Sequence, residues 1–200
     1  MTRPRLGMLA SHRGTNVQAI VRACADDRLA AEPAIIISNN RNALVLEFGH
    51  AHAVPSVWIG GPSYEDEGLR DEAISRELLS HRVDLVLLLG YMRKLGPSTL
   101  HHFRNRILNI HPSLLPKHGG QDKFGIRVHQ SVLAAGEVET GVSIHLVDDE
   151  YDHGPVIAQC RTAVLPDDTA ETLQSRVLAR EQEFLVETLR AIVSGDICLP

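Results

Sequence analysis

The chain of 200 residues and 22.0 kDa is long enough for one domain with a sizeable core and short for two. Its 25 acidic residues outnumber 20 basic ones, and the net charge of −5 offers no basic field to DNA or RNA, so small molecules are the expected partners. The longest apolar run, residues 84–90, is far below the ~20 residues of a membrane span, and residues 1–5 lead into no signal-peptide core. Three cysteines without close spacing disfavour a zinc cluster or a disulfide framework, and we expect a cytoplasmic protein.

The first half of the chain alternates short apolar runs with helical patterns. Strands are predicted over 5–10, 34–37, 55–59, 84–89 and 106–111. Helices are predicted over 17–24, 43–51 and 69–79, with a short one starting at Gly96-Pro97. Because the central runs are apolar without alternation, we expect strands that are buried on both faces of a parallel sheet. The pattern predicts a single domain with an open, doubly wound, mostly parallel α/β sheet of the Rossmann-like type.

The pattern changes after the fifth strand. Residues 112–127 are rich in Gly and Pro and are predicted to form a surface loop, followed by a short helix that ends at Gly136. Residues 141–147 alternate, and 155–160 follow an acidic turn. These two segments predict an antiparallel pair at the edge of the sheet.

A long amphipathic helix is predicted to close the chain. Asp168 and Glu171 resemble a capping box at its start, and an apolar stripe runs from Leu173 to Ile192. Glu181 interrupts this stripe, and an unpaired carboxylate on an apolar face is costly. We therefore expect Glu181 to meet a partner or a ligand.

The segment after the first strand, residues 11–16, lies where open α/β sheets bind ligands, outside the carboxyl ends of the strands. Gly14 permits a tight approach, and Thr15 or Asn16 is expected to cap the next helix, whose free N–H groups favour an anion such as phosphate. The segment matches neither G-x-x-x-x-G-K-[ST] nor G-x-G-x-x-G, so it predicts neither a nucleoside triphosphate nor a dinucleotide. The residues alone leave a phosphate site and an ordinary capped turn equally open.

Two polar residues at the end of the fifth strand carry the most information. Asn109 and His111 are two positions apart and therefore project to the same side of the strand. An amide can stabilise a developing oxyanion, and an imidazole can move a proton or stabilise that charge as an imidazolium. The alternative is that both side chains only satisfy backbone groups of the following loop.

The acidic turn over residues 148–154 contains four carboxylates. On composition alone, a solvated hairpin tip is the simpler interpretation. Asp152, next to a small turn, is the exception, because it could approach His111 and hold it charged or correctly oriented.

Two histidine pairs, His50 with His52 and His101 with His102, have spacings that a metal could use. Both pairs fall on helices that are predicted to lie at the surface. We therefore expect solvent-facing side chains and no metal site.

Taken together, five stretches of the chain resemble the phosphoribosylglycinamide formyltransferase family, nearly end to end. They are Ser11–Ile20, Gly90–Leu95, Leu108–Pro116, Thr140–His145 and Asp152–Gln159. The Asn-x-His-Pro-Ser-Leu-Leu-Pro run is specific to folate-dependent formyltransferases, whereas the first stretch alone is a weak signal.

The resemblance implies transfer of the formyl group of 10-formyltetrahydrofolate, as co-substrate, to the amine of 5'-phosphoribosylglycinamide in purine biosynthesis, without a metal. It implies that Asn109 and His111 stabilise the tetrahedral oxyanion, that His111 also moves the proton, and that Asp152 tunes His111. The ribotide site implied by the resemblance comprises Gly14, Thr15, Asn16 and Glu181. The implied folate pocket comprises Arg70, Met92, Arg93, Lys94, Leu95, Asn109, Asp148 and Asp152.

The chain departs from the family pattern beside both binding sites. His12 and Arg13 stand where smaller residues are usual, and the added cation favours phosphate. Tyr91 and Lys94 are altered neighbours in the folate stretch, and Lys94 could contact a polyglutamate tail. Neither departure touches the reacting centre.

Three alternatives follow from the same resemblance. A 10-formyltetrahydrofolate deformylase uses a similar centre with water as acceptor, but such chains carry a further N-terminal domain that this length disfavours. A tRNA formyltransferase needs a further C-terminal domain and a basic surface. A catalytically silent ligand-binding homologue gives no reason to keep Asn109, His111 and Asp152 together.

The predicted organisation is one formyltransferase domain over residues 1–200. Residues 1–106 form its phosphate-binding half, and residues 107–200 form its catalytic and folate-binding half. We expect a monomer or a homodimer.

Overall fold

The computed structural model describes residues 3–200, in which seven β-strands and six α-helices follow one another along the chain. The strands are β1 Arg5–Leu9, β2 Glu32–Ser38, β3 Ser56–Trp58, β4 Leu85–Leu88, β5 Ile107–His111, β6 Glu139–Leu146 and β7 Val156–Ala163. The helices are α1 Thr15–Ala25, α2 Leu44–Ala51, α3 Glu67–Ser80, α4 Pro97–His102, α5 Ile126–Ala134 and α6 Ala170–Ser194. Met1 and Thr2, which begin the predicted domain and the segment 1–5, lie outside the described residues.

All the strands form one sheet in the order β3-β2-β1-β4-β5-β6-β7. Strands β1 to β5 pair in parallel, whereas β6 and β7 pair antiparallel at one edge. This arrangement confirms the predicted α/β sheet and its antiparallel edge pair. The chain builds outward from β1 to β3 and then returns to the other side of β1 with β4. This reversal opens a crevice at the carboxyl ends of β1 and β4, where ligands bind in sheets of this kind.

Two apolar clusters cover the two faces of the sheet. In β2, Ile36 belongs to the cluster that contains α1 and α6, whereas Ile35 and Ile37 belong to the cluster that contains α3. Leu87 and Val86 of β4 divide between the clusters in the same way. Successive strand residues point to opposite faces, so burial on both faces requires an unbroken apolar run. This confirms the structural interpretation of the central runs.

The start of α1 differs from the prediction. Gly14 is the N-cap, in the left-handed conformation at φ 64°, and no side chain caps the helix. Thr15 and Asn16 lie inside the helix, so the predicted capping by either of them is wrong. A Cβ at Gly14 would stand 2.2 Å from Cγ2 of Val45, so the close approach of α2 and the turn geometry both require glycine here.

The start of α6 also differs, by one residue. Thr169 is the N-cap, and it forms a capping box with Thr172 rather than the predicted box of Asp168 and Glu171. The Asp168 carboxylate instead accepts hydrogen bonds from the backbone N–H of Leu165 and the hydroxyl of Thr172, and it pairs with an arginine further along the helix. Because its oxygens are engaged there, the next hydroxyl along the chain takes over the cap.

The short helix α4 begins at Pro97, as predicted, and a distant side chain caps it. The buried carboxylate of Asp71, on α3, accepts hydrogen bonds from the backbone N–H of Gly96 at 2.9 Å and of Ser98 at 2.7 Å. This contact fixes the end of the segment that follows β4. That segment forms one wall of the crevice.

The described residues can also be searched for a membrane-spanning helix, a metal site and disulfides. Within residues 3–200, no helix is both long and apolar enough to cross a bilayer, and no three His, Cys, Asp or Glu side chains are grouped to hold a metal. The two histidine pairs lie exposed on or next to α2 and α4, as expected. The three cysteines are unpaired.

Candidate active site

A cleft of about 860 Å³ opens at the switch point of the sheet. Its walls come from the turn after β1, the segment after β4, the loop after β5, the turn after β6 and one face of α6. Its size is within the range that small-molecule sites occupy. The predicted site residues on its walls are Gly14, Thr15, Asn16, Met92, Arg93, Lys94, Leu95, Asn109, His111, Asp148, Asp152 and Glu181.

Arg70 is the predicted folate residue that the structure does not bring to this cleft. Its side chain is buried on α3, 6% exposed, and its guanidinium donates to the carboxylate of Glu67 at 3.2 Å. The resemblance therefore aligns Arg70 with a position whose side chain points into the protein. Tyr91 does line the cleft, and burial raises the pKa of its hydroxyl to about 12.

The three predicted catalytic residues converge at the middle of the cleft. Nδ1 of His111 lies 3.4 Å from Oδ2 of Asp152, and Nδ2 of Asn109 donates to Oδ1 of Asp152 at 3.2 Å. Asp152 is itself in the left-handed conformation, at φ 54°, which Asp tolerates better than most residues. The tight turn after β6 thus brings a carboxylate to two side chains at the end of β5.

His145 completes this cluster, although no role for it was predicted from the sequence. It lies directly opposite Asn109 in the antiparallel pairing of β5 with β6. Its Nδ1–H donates to the carbonyl of Leu146 at 2.8 Å, so Nε2 of the neutral ring accepts a hydrogen bond from Nδ2 of Asn109 at 3.0 Å. This contact fixes the orientation of the Asn109 amide. The alternating pattern of residues 141–147 predicts the strand that carries His145. Only the pairing register of β5 with β6 shows that this side chain meets Asn109.

The protonation states follow from the burial of the cluster and from its hydrogen bonds. Nε2–H of His111 donates to the carbonyl of His118 at 3.0 Å, which leaves Nδ1 without a proton and facing Asp152. Burial lowers the pKa of His111, and the charge of Asp152 offsets part of this effect. The imidazole is therefore neutral near pH 7 and can accept a proton at Nδ1.

The carboxylate of Asp152 is ionised in the same environment. Burial alone would raise its pKa, but the neighbouring ring of His145, the charge that His111 carries when protonated and the backbone N–H of Gly120, at 3.0 Å, together lower it. A negative charge next to Nδ1 favours the imidazolium that proton transfer creates. The arrangement is therefore suited to stabilise a proton on Nδ1 of His111.

Two buried serines hold the loops that carry the cluster. The hydroxyl of Ser143 donates to the carbonyl of Ser113 at 2.7 Å and accepts from the backbone N–H of Leu115 at 3.0 Å. The hydroxyl of Ser11 donates to Oδ1 of Asn39 at 2.6 Å and accepts from the backbone N–H of Met92 at 2.7 Å. The first serine fixes the loop after β5, and the second joins the turn after β1 to the segment after β4.

One end of the cleft lies between the start of α1 and the middle of α6. Glu181 is 7% exposed there and accepts a hydrogen bond from Nδ2 of Asn16. Burial raises the pKa of Glu181 to about 7, and the Asn16 contact offsets only part of that. Oδ1 of Asn16 is buried and has no hydrogen-bond partner among residues 3–200. Polar groups in this state are typical of a site that a ligand completes.

The other end of the cleft is formed by the segment after β4 and the turn after β6. Met92 is 42% exposed and Leu95 is buried, so this segment offers apolar surface to a ligand. The ammonium of Lys94 lies 5.7 Å from the ring centroid of Tyr151, which links the two sides of the opening. The Asp148 carboxylate is engaged within its own turn, where His153 donates to it at 3.0 Å.

An open α/β sheet with a buried Asn–His–Asp cluster in a cleft at its switch point defines an enzyme that acts on small molecules. The sequence matches the formyl transferase family over residues 5–189. It is 35% identical over 185 residues to the phosphoribosylglycinamide formyltransferase of Haemophilus influenzae, an alignment that covers 92% of this chain and 84% of the relative. The chain therefore belongs to the phosphoribosylglycinamide formyltransferase family. Membership implies a folate-derived co-substrate.

Solved structures agree with this assignment. The fold is similar to that of glycinamide ribonucleotide transformylase 1 from Symbiobacterium toebii, with a TM-score of 0.92 and 35% identity over 100% of this chain and 92% of that one. A formyltetrahydrofolate deformylase from Pseudomonas syringae also superimposes, with a TM-score of 0.87. At 24% identity, and with 64% of that chain covered, this second likeness shows a common fold alone.

Proposed function

We propose that this chain transfers the formyl group of 10-formyltetrahydrofolate to the amine of 5'-phosphoribosylglycinamide, giving the N-formyl product and tetrahydrofolate. The observation that carries the proposal is the convergence of Asn109, His111 and Asp152 in a cleft that also extends to the start of α1 and to residues 92–95. This arrangement suits a reaction between two bound molecules that meet at the centre. Holding both reactants in place lowers the entropic part of the barrier.

In the proposed reaction, the amine attacks the formyl carbon, and the carbonyl oxygen becomes an oxyanion. Asn109 is the donor to this oxygen. In the free protein, both of its amide hydrogens are engaged, by Nε2 of His145 at 3.0 Å and by Oδ1 of Asp152 at 3.2 Å. The longer contact to Asp152 is the one that the oxyanion replaces, while His145 keeps the amide in position. A donor that is already oriented needs little reorganisation when charge develops.

His111 carries the proton in this scheme. The attacking nitrogen becomes positively charged, and Nδ1 of the neutral imidazole takes its proton beside Asp152. The imidazolium then returns the proton to the folate nitrogen as the bond between that nitrogen and the formyl carbon breaks. The carbonyl reforms, and charge and protons balance without a metal.

The two ends of the cleft bind the two reactants in this proposal. The uncapped start of α1 at Gly14, Thr15 and Asn16 meets the phosphate, and Glu181 meets the rest of the ribotide. The pterin and its tail lie along the segment 92–95 and the turn after β6. We propose residues 1–106 as the phosphate-binding half and residues 107–200 as the catalytic and folate-binding half. Each half also contributes residues to both ends of the cleft.

A deformylase remains the competing activity, and one assay separates the two. Purified protein is mixed with 10-formyltetrahydrofolate, and loss of the formyl group is followed with and without glycinamide ribotide. Ribotide-dependent loss with formation of the N-formyl product supports the proposal. Equal loss without the ribotide identifies a hydrolase instead.

We also propose that the reaction takes place in the cytoplasm, and the unpaired Cys24, Cys160 and Cys198 support a reducing compartment. Whether the enzyme is a monomer or a homodimer stays a prediction. Size-exclusion chromatography with light scattering decides between these two states.

A further inference from the structure

A second buried histidine, outside the catalytic cluster, lines the cleft. His129 lies on α5 and is 2% exposed. Within the described residues 3–200, neither of its ring nitrogens makes a hydrogen bond, and Nδ1 is fully buried without a partner. Buried polar atoms are nearly always hydrogen-bonded in folded proteins, and each exception calls for an explanation. The histidine is a wall residue of the cleft, so a bound ligand is the explanation to test.

The ring presents one nitrogen to the cleft. Nε2 of His129 is not among the fully buried atoms, although it lacks a hydrogen bond, so it keeps contact with the open space that the ring lines. Burial lowers the pKa of His129 to about 4, and the charge of His111 acts in the same direction. The ring is therefore neutral at physiological pH and carries a single proton. A proton on Nδ1 would be a buried donor without an acceptor, so Nε2 holds it.

The position of this N–H indicates which reactant it meets. Helix α5 packs against α6, whose residues Leu178 and Glu181 line the same cleft. This packing brings α5, which carries His129, next to the helix that lines the end of the cleft assigned above to the amine substrate. Because the ring is neutral, it gives no charge to a phosphate and is suited to an uncharged oxygen.

We propose that His129 is a substrate-binding residue whose Nε2–H donates to an uncharged oxygen, a hydroxyl or an amide carbonyl, of the amine substrate. This inference rests on the proposed function. It assigns to α5 a direct part in substrate recognition, next to the reacting centre.

Two variants test the contact by steady-state kinetics. His129→Leu removes the donor and is expected to raise the KM for glycinamide ribotide about 10-fold, the scale of one lost neutral hydrogen bond, with the KM for the folate within about 2-fold of wild type. His129→Gln keeps an N–H at similar reach and is expected to recover most of that loss. His101→Leu, at an exposed position on α4, is the matched control and leaves both KM values unchanged. Thermal unfolding of all four proteins checks the fold.

A measurement on the unmodified protein avoids any folding defect. Imidazole ¹H–¹⁵N spectra are expected to show His129 with its proton on Nε2, and added ribotide shifts that resonance more than Nδ1. A proton on Nδ1, equal losses in His129→Leu and His129→Gln, or an equal rise of both KM values overturns the inference. Wild-type protein that neither binds nor formylates the ribotide overturns the proposed function, and this inference with it.

Discussion

The middle of the cleft and its α1–α6 end differ in how their polar groups are satisfied. In the middle, the Asn109 amide donates to Asp152 and to His145, and the N–H of His111 donates to the carbonyl of His118, so each of these protons has a defined partner. At the α1–α6 end, Oδ1 of Asn16 and Nδ1 of His129 lack partners in the described chain, and Glu181 is buried with a raised pKa. The fold alone therefore organises the middle of the cleft, whereas the α1–α6 end keeps polar groups that we expect a ligand to satisfy.

The largest effect is expected from His111→Ala, which removes the proposed proton carrier from the middle of the cleft. We expect kcat to fall about 10²- to 10⁴-fold, the usual contribution of a general acid–base, with folate affinity within about 3-fold of wild type. Steady-state kinetics and a direct folate-binding titration measure the two quantities. An unchanged kcat would remove His111 from the mechanism.

Asp152→Asn tests the electrostatic support of His111. Asn tolerates the left-handed backbone of this position, so the change removes charge with little strain. We expect kcat to fall about 10- to 100-fold, because the imidazolium of His111 loses the stabilisation that the neighbouring negative charge provides.

The pH profile of the same variant gives a second test. Burial lowers the pKa of His111, so the acid limb of kcat/KM in the wild type lies below pH 6.5. The charge of Asp152 raises that pKa in part, and its removal moves the limb to still lower pH. A limb that stays in place would assign the titration to another group.

Gly14→Val tests the α1–α6 end of the cleft, at the turn that follows β1. The left-handed backbone and the contact with Val45 both oppose a side chain here, and strain of about 1–3 kcal/mol corresponds to a 5- to 150-fold rise in ribotide KM. Gly136→Val is the control, since Gly136 is also left-handed but faces open space away from the cleft. If both variants show normal ribotide KM values, the turn is not part of the site.

Glu181→Gln is expected to give the smallest kinetic effect, a rise of about 10-fold in ribotide KM. The same substitution is expected to raise the free energy of unfolding at alkaline pH. The folded pKa of about 7 is above the ordinary 4.5, so the folded state keeps a proton that the unfolded chain releases, and wild-type stability falls as pH rises from about 4.5 through 7. At pH 8 the variant is expected to be more stable by about 3 kcal/mol.

Urea unfolding at pH 5 and pH 8 measures this second effect. Glu183→Gln, at an exposed position of the same helix, serves as the control. Equal pH slopes in the wild type and in Glu181→Gln would show that the carboxyl is not buried as described.

The sheet could be predicted because its signal is local. The runs at 34–37 and 85–89 are apolar at every position, and the structure buries them on both faces. Helix starts were less predictable, since Asp168 and Thr169 are both good caps one residue apart. The contacts of Asp168 with Leu165 and with α6, which decide between them, exist only in the folded protein.

The site residues also differ in whether local sequence or only the folded structure reveals them. Asn109 and His111 could be paired from their spacing in one strand, whereas the arrival of Asp152 depends on the turn between β6 and β7. His145 became visible only through the register of β5 with β6. His129 could not be found from sequence, because its signal is the lack of a partner in three dimensions. Arg70 was expected from the resemblance alone, and its side chain is buried on α3 and does not line the cleft.

The buried hydroxyl of Ser11 has a consequence for how the two reactants influence each other. It bonds to the loop after β2 and to the backbone of Met92, while the backbone N–H of Ser11 donates to the carbonyl of Gly90 at 3.1 Å. The turn proposed to receive phosphate and the strip proposed to receive pterin are thus joined by direct hydrogen bonds. Linkage requires that any effect of one bound reactant on the affinity for the other is reciprocal and of equal size.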